Sequence, residues 1–245
     1  MSRAVLVTGA SRGIGRAVAE RFAAQGDRVA LHYASRQEAA REAFAALAGT
    51  GHVLVQGDVS SPDGAAAVVA AAVDGLGGVD VLVNNAAANS PHPLAETSFD
   101  DWQAAWRRIV DVNLLGAAHV SHCAARNMID RAVQGRIVNV GSRGAFRGEP
   151  DHPAYGASKA ALHSMGQSLA VHLAPYGIAV ASVAPGFVAT ERVADRLTDE
   201  VRAQSPFGRV ATPDEVASAV HYLASPGAVW TSGTVLDVNG ASHLR

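Results

Sequence analysis

Ala4-Val5-Leu6-Val7-Thr8-Gly9-Ala10-Ser11-Arg12-Gly13-Ile14-Gly15 is the stretch on which the fold turns. An uninterrupted apolar run ends in a glycine-rich turn, and the turn opens an Ala-rich segment of helical length from Ile14 to Gln25. Continuous rather than alternating apolar runs suggest strands buried on both faces, as in a parallel sheet. Glycines at 9, 13 and 15 let the chain turn tightly, let the backbone approach a pyrophosphate, and let helix pack on strand. The N-terminus of the helix then faces the phosphates, so the stretch predicts a dinucleotide site.

Outward from this stretch the same alternation repeats. Apolar runs recur at Val29 to Tyr33, His52 to Gln56, Val79 to Val83, Arg136 to Val140, Ile178 to Val183 and Thr234 to Val238. Helical segments fall between them at Gln37 to Ala48, Gly64 to Leu76, Phe99 to Ile129, Ala154 to Ala174 and Pro213 to Ala224. With the first run, that predicts seven strands in a doubly wound α/β (Rossmann) parallel sheet with helices on both faces. Ligands of such sheets sit beyond the carboxyl ends of the strands. No linker, charge block or internal repeat divides the 245 residues, so one domain over 1–245 is expected.

The end of the second strand reads Leu31-His32-Tyr33-Ala34-Ser35-Arg36, with no carboxylate to take the ribose hydroxyls of NAD. Ser35 with Arg36, and Arg12 after the first strand, can instead flank a 2′-phosphate, which favours NADP(H).

Composition excludes several classes. Hydrophobic residues make up 49% and charged residues 17%, too apolar for disorder. The formal charge is −2 with scattered basic residues, so no nucleic-acid partner is expected. No apolar run approaches the roughly 20 residues of a membrane span, and the first strand-like run begins at Ala4, so neither membrane nor signal peptide is expected. A lone Cys123 suits a reducing cytoplasm and reads as a small buried hydrophobe.

Of twenty Lys and Arg residues, one is a lysine: Lys159, four residues after a tyrosine in Tyr155-Gly156-Ala157-Ser158-Lys159. A chain that otherwise uses arginine has no need of lysine for surface charge. This position calls for a compact ammonium that sits beside a phenol and reaches ribose hydroxyls. On a helix, residues i and i+4 share a face, so both groups point into one cleft.

Together these blocks resemble the short-chain dehydrogenase/reductase family over the whole chain. The match comprises the glycine turn at 8 to 15, Asp58-Val59, Asn84-Asn85-Ala86-Ala87, Asn113, Ser142, Tyr155 with Lys159, and Pro185-Gly186 followed by Thr190, all in the family's order and spacing. The resemblance implies that Asp58 and Val59 hold the adenine, that Asn85, Ala86 and Ala87 lie against the cofactor, and that Pro185, Gly186, Val188 and Thr190 hold the nicotinamide end. Ala87 departs from the pattern, where relatives usually have glycine, and puts the backbone path there in question.

The family resemblance and the charge bookkeeping agree on chemistry. A hydride delivered to a carbonyl carbon leaves an alkoxide that needs a proton, and Tyr155 supplies it. An ammonium about 4 Å away at an effective dielectric of ~20 favours the phenolate by ~4 kcal/mol, roughly three pK units. Ser142 is expected to hydrogen-bond the carbonyl oxygen, and by resemblance Asn113 holds a water linking Lys159 to solvent.

Arg143, Phe146, Arg147 and His152, with Asn89 and His92 from the preceding loop, are expected to line the substrate pocket, Arg143 and His152 foremost. The segment Glu191 to Gln204, within a lid at about 187–207, is expected to close over substrate. His119 and His122 have a metal-like spacing but no third ligand, so no metal is expected. The expected activity is NADP(H)-dependent interconversion of a small or medium ketone or aldehyde and an alcohol. A 3-oxoacyl-acyl carrier protein reductase, a sugar 1-dehydrogenase and a non-catalytic dinucleotide-binding protein remain as alternatives. The resemblance also implies a homotetramer built on the two long helices, with the final strand and tail at a second two-fold interface.

Overall fold

β1 (Ala4–Val7) leads into α1 (Gly13–Ala24), and the strand-helix step repeats through β2 (Arg28–Tyr33), α2 (Gln37–Ala45), β3 (Val53–Gln56), α3 (Pro62–Leu76) and β4 (Val81–Asn84). Then follow α4 (Phe99–Val110), α5 (Ala117–Asp130), β5 (Arg136–Val140), α6 (Pro153–Leu173), β6 (Ala179–Pro185), α7 (Asp199–Ala203), α8 (Pro213–Leu223) and β7 (Val235–Val238). The computed structural model describes residues 2–191 and 197–245. Residues 192–196, in the middle of the expected lid, lie outside the described residues.

The seven strands form one parallel sheet in the order β3-β2-β1-β4-β5-β6-β7. Side chains alternate across it. Val5 and Val7 of β1 join Phe22, Val18, Val216 and Val220 in the layer of α1 and α8. Ala4 and Leu6 join Val68, Ala72, Val120 and Met128 in the layer of α3 and α5. Because both faces are covered, the strands carry apolar residues at most positions rather than at alternate ones, which is why their runs read as nearly continuous.

Strand order reverses at β1: β2 and β3 lie on one side, β4 to β7 on the other. The loops leaving β1 and β4 therefore diverge and open a crevice at their carboxyl ends. Every motif expected at the site except the helix-borne Asn113, Tyr155 and Lys159 lies at or just beyond the carboxyl end of a strand.

The region expected as one helix over Phe99 to Ile129 is interrupted. Asp111–Gly116 forms a π-helical segment between α4 and α5. Gly116 approaches the backbone of Val59 so closely that a Cβ there would lie 2.7 Å from the Val59 carbonyl oxygen. The extra residue in the turn accommodates this contact and aims Asn113 inward, as π-turns at functional sites do. Among the described residues no helix is long and apolar enough to cross a membrane.

Candidate active site

The glycine turn is held by its neighbours rather than by itself. Thr8 Oγ1 accepts the N–H groups of Asn85 (3.0 Å) and Ala86 (3.1 Å), while Asn85 Nδ2 donates to the carbonyls of Thr8 (2.9 Å) and Gly9 (3.0 Å). The β1 and β4 loops are thereby laced together across the switch point. Gly9 adopts φ +63° and Gly13 φ +55°, a region that side chains avoid. A Cβ on Gly15 would fall against Asn85 Nδ2 and 2.5 Å from the Gly9 carbonyl. Gly15→Ala is therefore expected to displace the Asn85 amide and lower stability by about 1–3 kcal/mol. A urea midpoint equal to that of the unsubstituted protein would refute this.

His32 was not singled out by sequence reasoning, yet it belongs to this framework. It is buried; Nδ1 accepts the Gly9 N–H (3.1 Å), so Nε2 donates to the Gly57 carbonyl (3.1 Å). Burial also pushes its pKa below the ordinary histidine value, which keeps the ring neutral and preserves the acceptor at Nδ1. No spacing pattern signals this role, because both partners are backbone atoms remote in sequence.

Above this framework lies a groove of about 740 Å³, lined by Gly9, Ser11, Arg12, Gly13, Ile14 and Gly15 on its floor. Ser35 and Arg36 line one end, and Asp58, Val59 and the segment Asn85 to Ala88 line its wall. Its chemistry fits a dinucleotide. The first turn of α1 has no acidic residue, and its N-cap, Arg12, makes no side-chain capping bond, so the helix N–H donors and dipole are left for an anion. Asp58 accepts from the Ser60 N–H (3.0 Å), and hydrogen bonds from Ser60 hold its carboxyl below the usual range, so an anionic acceptor stands at the groove's wall. Ala87 fits without strain: among the described non-glycine residues positive φ occurs at Ala132 and Ala241, not at Ala87.

A second cleft, of about 370 Å³, opens from the groove and shares Ile14, Asn85, Ala87 and Thr190 with it. It is lined by Ser142, Tyr155 and Lys159, with Pro185, Gly186 and Val188 opposite. Lys159 is buried; its Nζ donates to the Val140 carbonyl (2.7 Å) and lies 5.8 Å from the centre of the Tyr155 ring. Ser142 caps the short turn Arg143–Ala145, its Oγ accepting from the Gly144 N–H (2.9 Å), which leaves its own hydrogen to turn into the cleft.

Asn113 is completely buried, and its side chain is occupied. Oδ1 accepts the Ala88 N–H (2.7 Å), and Nδ2 donates to the Ala88 carbonyl (3.0 Å) and Ser158 Oγ (3.0 Å). With both amide hydrogens used, Asn113 ties the β4 loop to the face of α6 that carries Tyr155 and Lys159.

Of the expected substrate residues, the structure brings Arg143, His152 and Asn89 into the cleft. Three go elsewhere. His92 is buried beneath, accepting the Ala154 N–H at Nε2 (3.1 Å) and donating from Nδ1 to the Ser90 carbonyl (2.8 Å), so it seats the first turn of α6. Phe146 stacks on His163 with ring centres 5.4 Å apart, and Arg147 donates to the Ser242 carbonyl (3.1 Å).

Comparison with known proteins shows the family. A family model described as enoyl-(acyl carrier protein) reductase matches residues 9–243. The chain is 38% identical to 3beta-hydroxysteroid dehydrogenase 1 of Eggerthella lenta, covering 99% of this chain and 94% of that protein. It is 37% identical to the 3-oxoacyl-[acyl-carrier-protein] reductase of Vibrio cholerae, covering 99% and 98% respectively. A crystal structure of a short chain dehydrogenase from Bacillus anthracis superposes with a TM-score of 0.86 at 31% identity, covering 98% of this chain and 96% of that one. The chain belongs to the short-chain dehydrogenase/reductase family, oxidoreductases that interconvert a carbonyl and an alcohol by hydride exchange with a nicotinamide dinucleotide.

Proposed function

We propose that the protein is an NADP(H)-dependent carbonyl reductase or alcohol dehydrogenase in which Tyr155 gives and takes the proton. The observation that carries this reading is the continuity of the two clefts: Ser142, Tyr155 and Lys159 line a chamber that opens directly onto the glycine-turn groove. Pro185, Gly186, Val188 and Thr190 line the cleft and would hold the nicotinamide end of a dinucleotide, which would supply or accept the hydride when bound.

The chain's own groups do the rest. Ser142 Oγ donates to the carbonyl oxygen and holds it beside the Tyr155 hydroxyl. As negative charge develops on that oxygen, Tyr155 transfers its proton, and the Lys159 ammonium stabilises the phenolate that remains. Asn113 acts as a positioning residue through Ala88 and Ser158. Arg12 and Arg36 at the groove support NADP(H) over NAD(H), since no carboxylate follows β2 to bind a free 2′-hydroxyl. One domain over 1–245, a substrate lid at about 187–207 and a cytoplasmic location, the last on the lone Cys123, go with this reading. A screen of NADPH oxidation over ketones, aldehydes, sugars and 3-oxoacyl thioesters tests it. Turnover with none of these classes would sink it.

A homotetramer is part of the same proposal. Exposed apolar side chains stand on the long helices, with Phe99 and Val171 74% and 80% exposed, and near the β7 edge, with Trp230 and Leu244 98% and 81% exposed. Light scattering is expected to give about 100 kDa for four 25.1 kDa chains. A 25.1 kDa particle at micromolar concentration would refute it.

A further inference from the structure

Arg143 follows Ser142 directly and is 95% buried, with a relative exposure of 5%. It lines the catalytic cleft and also a neighbouring cavity of about 260 Å³ bounded by Phe187, Val201, Ser205 and Phe207. Its fixed contacts are with neutral groups: Nη1 donates to Ser242 Oγ (2.7 Å), Nη2 donates to Gln204 Oε1 (2.9 Å), and the guanidinium lies 5.3 Å from the centre of the Phe187 ring. No carboxylate among the described residues lies within ion-pair distance of it. Three of its five N–H donors thus have no acceptor among those residues.

A charge taken out of water with only neutral partners is unfavourable unless an anion arrives to meet it. Burial lowers the Arg143 pKa from the ordinary arginine value, yet arginine remains charged at any physiological pH. The surrounding charges restrict what the anion is. Glu149 lines the same cleft without pairing with Arg143, and its attraction for Arg143 is opposed by the repulsion of Arg147. In the neighbouring cavity Asp237 and Glu215 are already paired, with Arg245 and Arg209. Arg143 and Arg147 against Glu149 leave a net surplus of one positive charge, which suits a singly charged planar group and disfavours a dianionic phosphate.

We propose that the substrate is an oxo acid, or the corresponding hydroxy acid, whose carboxylate is bound by Arg143 while Ser142 and Tyr155 hold its carbonyl oxygen. This rests on the reductase reading above and names its substrate class. Arg143 is clamped by Ser242 from the C-terminal tail and by Gln204 just after α7, so the segment following the expected lid sets the position of the carboxylate-binding fork.

The test compares 2-, 3- and 4-oxo acids with their methyl esters, using NADPH and the full chain. At least one pair is expected to favour the acid by about tenfold to a hundredfold in kcat/KM, the worth of one charge-assisted contact. In Arg143→Gln that ratio falls below about twofold, and in Arg143→Lys part of it returns. Because Arg143 also ties down the tail, thermal midpoints are recorded alongside. The ratio is internal to each variant and does not depend on how much protein is folded. Esters reduced as well as acids, or a substitution that lowers both equally, overturns the oxo-acid proposal and leaves the reductase reading standing. If neither member of any pair is reduced, the reductase reading fails on this panel, and calorimetry of butanoate against butanamide on the NADP+ complex decides the anion site. Binding of butanoate alone, abolished in Arg143→Gln, supports it; no binding overturns it.

Discussion

Tyr155→Phe is expected to lower kcat by about 10³-fold, within the 10²- to 10⁴-fold range of a lost general acid, while the dissociation constant for NADPH stays within a few fold. The ring and its packing remain; only the proton is removed. Lys159→Arg is expected to retain less than a tenth of the activity, a loss above ~1.4 kcal/mol, although the charge is kept. Lys159 Nζ is buried and fixed at 2.7 Å to the Val140 carbonyl, two residues before Ser142. A planar fork placed there has to push aside the end of β5, and the Ser142 turn with it. Steady-state oxidation of NADPH with fluorescence titration of the cofactor separates the two effects. Near-normal kcat in Tyr155→Phe would remove Tyr155 from the proton step. More than a tenth of the activity in Lys159→Arg would mean that charge alone, and not shape, is what the chain's single lysine provides.

That Tyr155 and Lys159 share one cleft was legible in the sequence to the extent that local rules carry it. The glycine turn, the continuous apolar runs and the i, i+4 spacing of Tyr155 and Lys159 each follow from backbone geometry within a few residues. β5 lies at Arg136–Val140, as its apolar run indicates. What escaped depends on atoms distant along the chain. The π-helical segment at Asp111–Gly116 arises because Gly116 meets the Val59 backbone and Asn113 meets Ala88 and Ser158, and an amphipathic pattern carries no trace of either contact. His32 reads as an ordinary strand histidine and His92 as a pocket-lining loop residue, yet each accepts a backbone N–H beside the cleft, from Gly9 and from Ala154. Ala87 shows the converse: the departure from the family pattern raised a question about the backbone that its ordinary conformation answers.

Cofactor preference is the part of the proposed function that can be tested without any reference to substrate, through two side chains that line the groove. Arg36 is exposed at the N-cap position of α2 and Arg12 stands at the N-cap position of α1, so both border the groove and are the residues proposed to hold a 2′-phosphate. NADPH is expected to bind more tightly than NADH. Arg12→Ala combined with Arg36→Ala removes up to two charge-assisted contacts of ~1.5–3 kcal/mol each, which weakens NADPH by at least about tenfold and up to about a thousandfold. NADH, lacking the phosphate, is expected to bind the variant nearly as before. The NADPH loss is also expected to shrink as salt is raised, because contacts near the surface are screened. Dissociation constants for both cofactors, in the unsubstituted and doubly substituted proteins, decide the point. An initial preference for NADH, or equal losses for the two cofactors, would mean that the residues after β2 bind ribose hydroxyls, and that Arg12 and Arg36 contribute only general positive charge to the mouth of the groove.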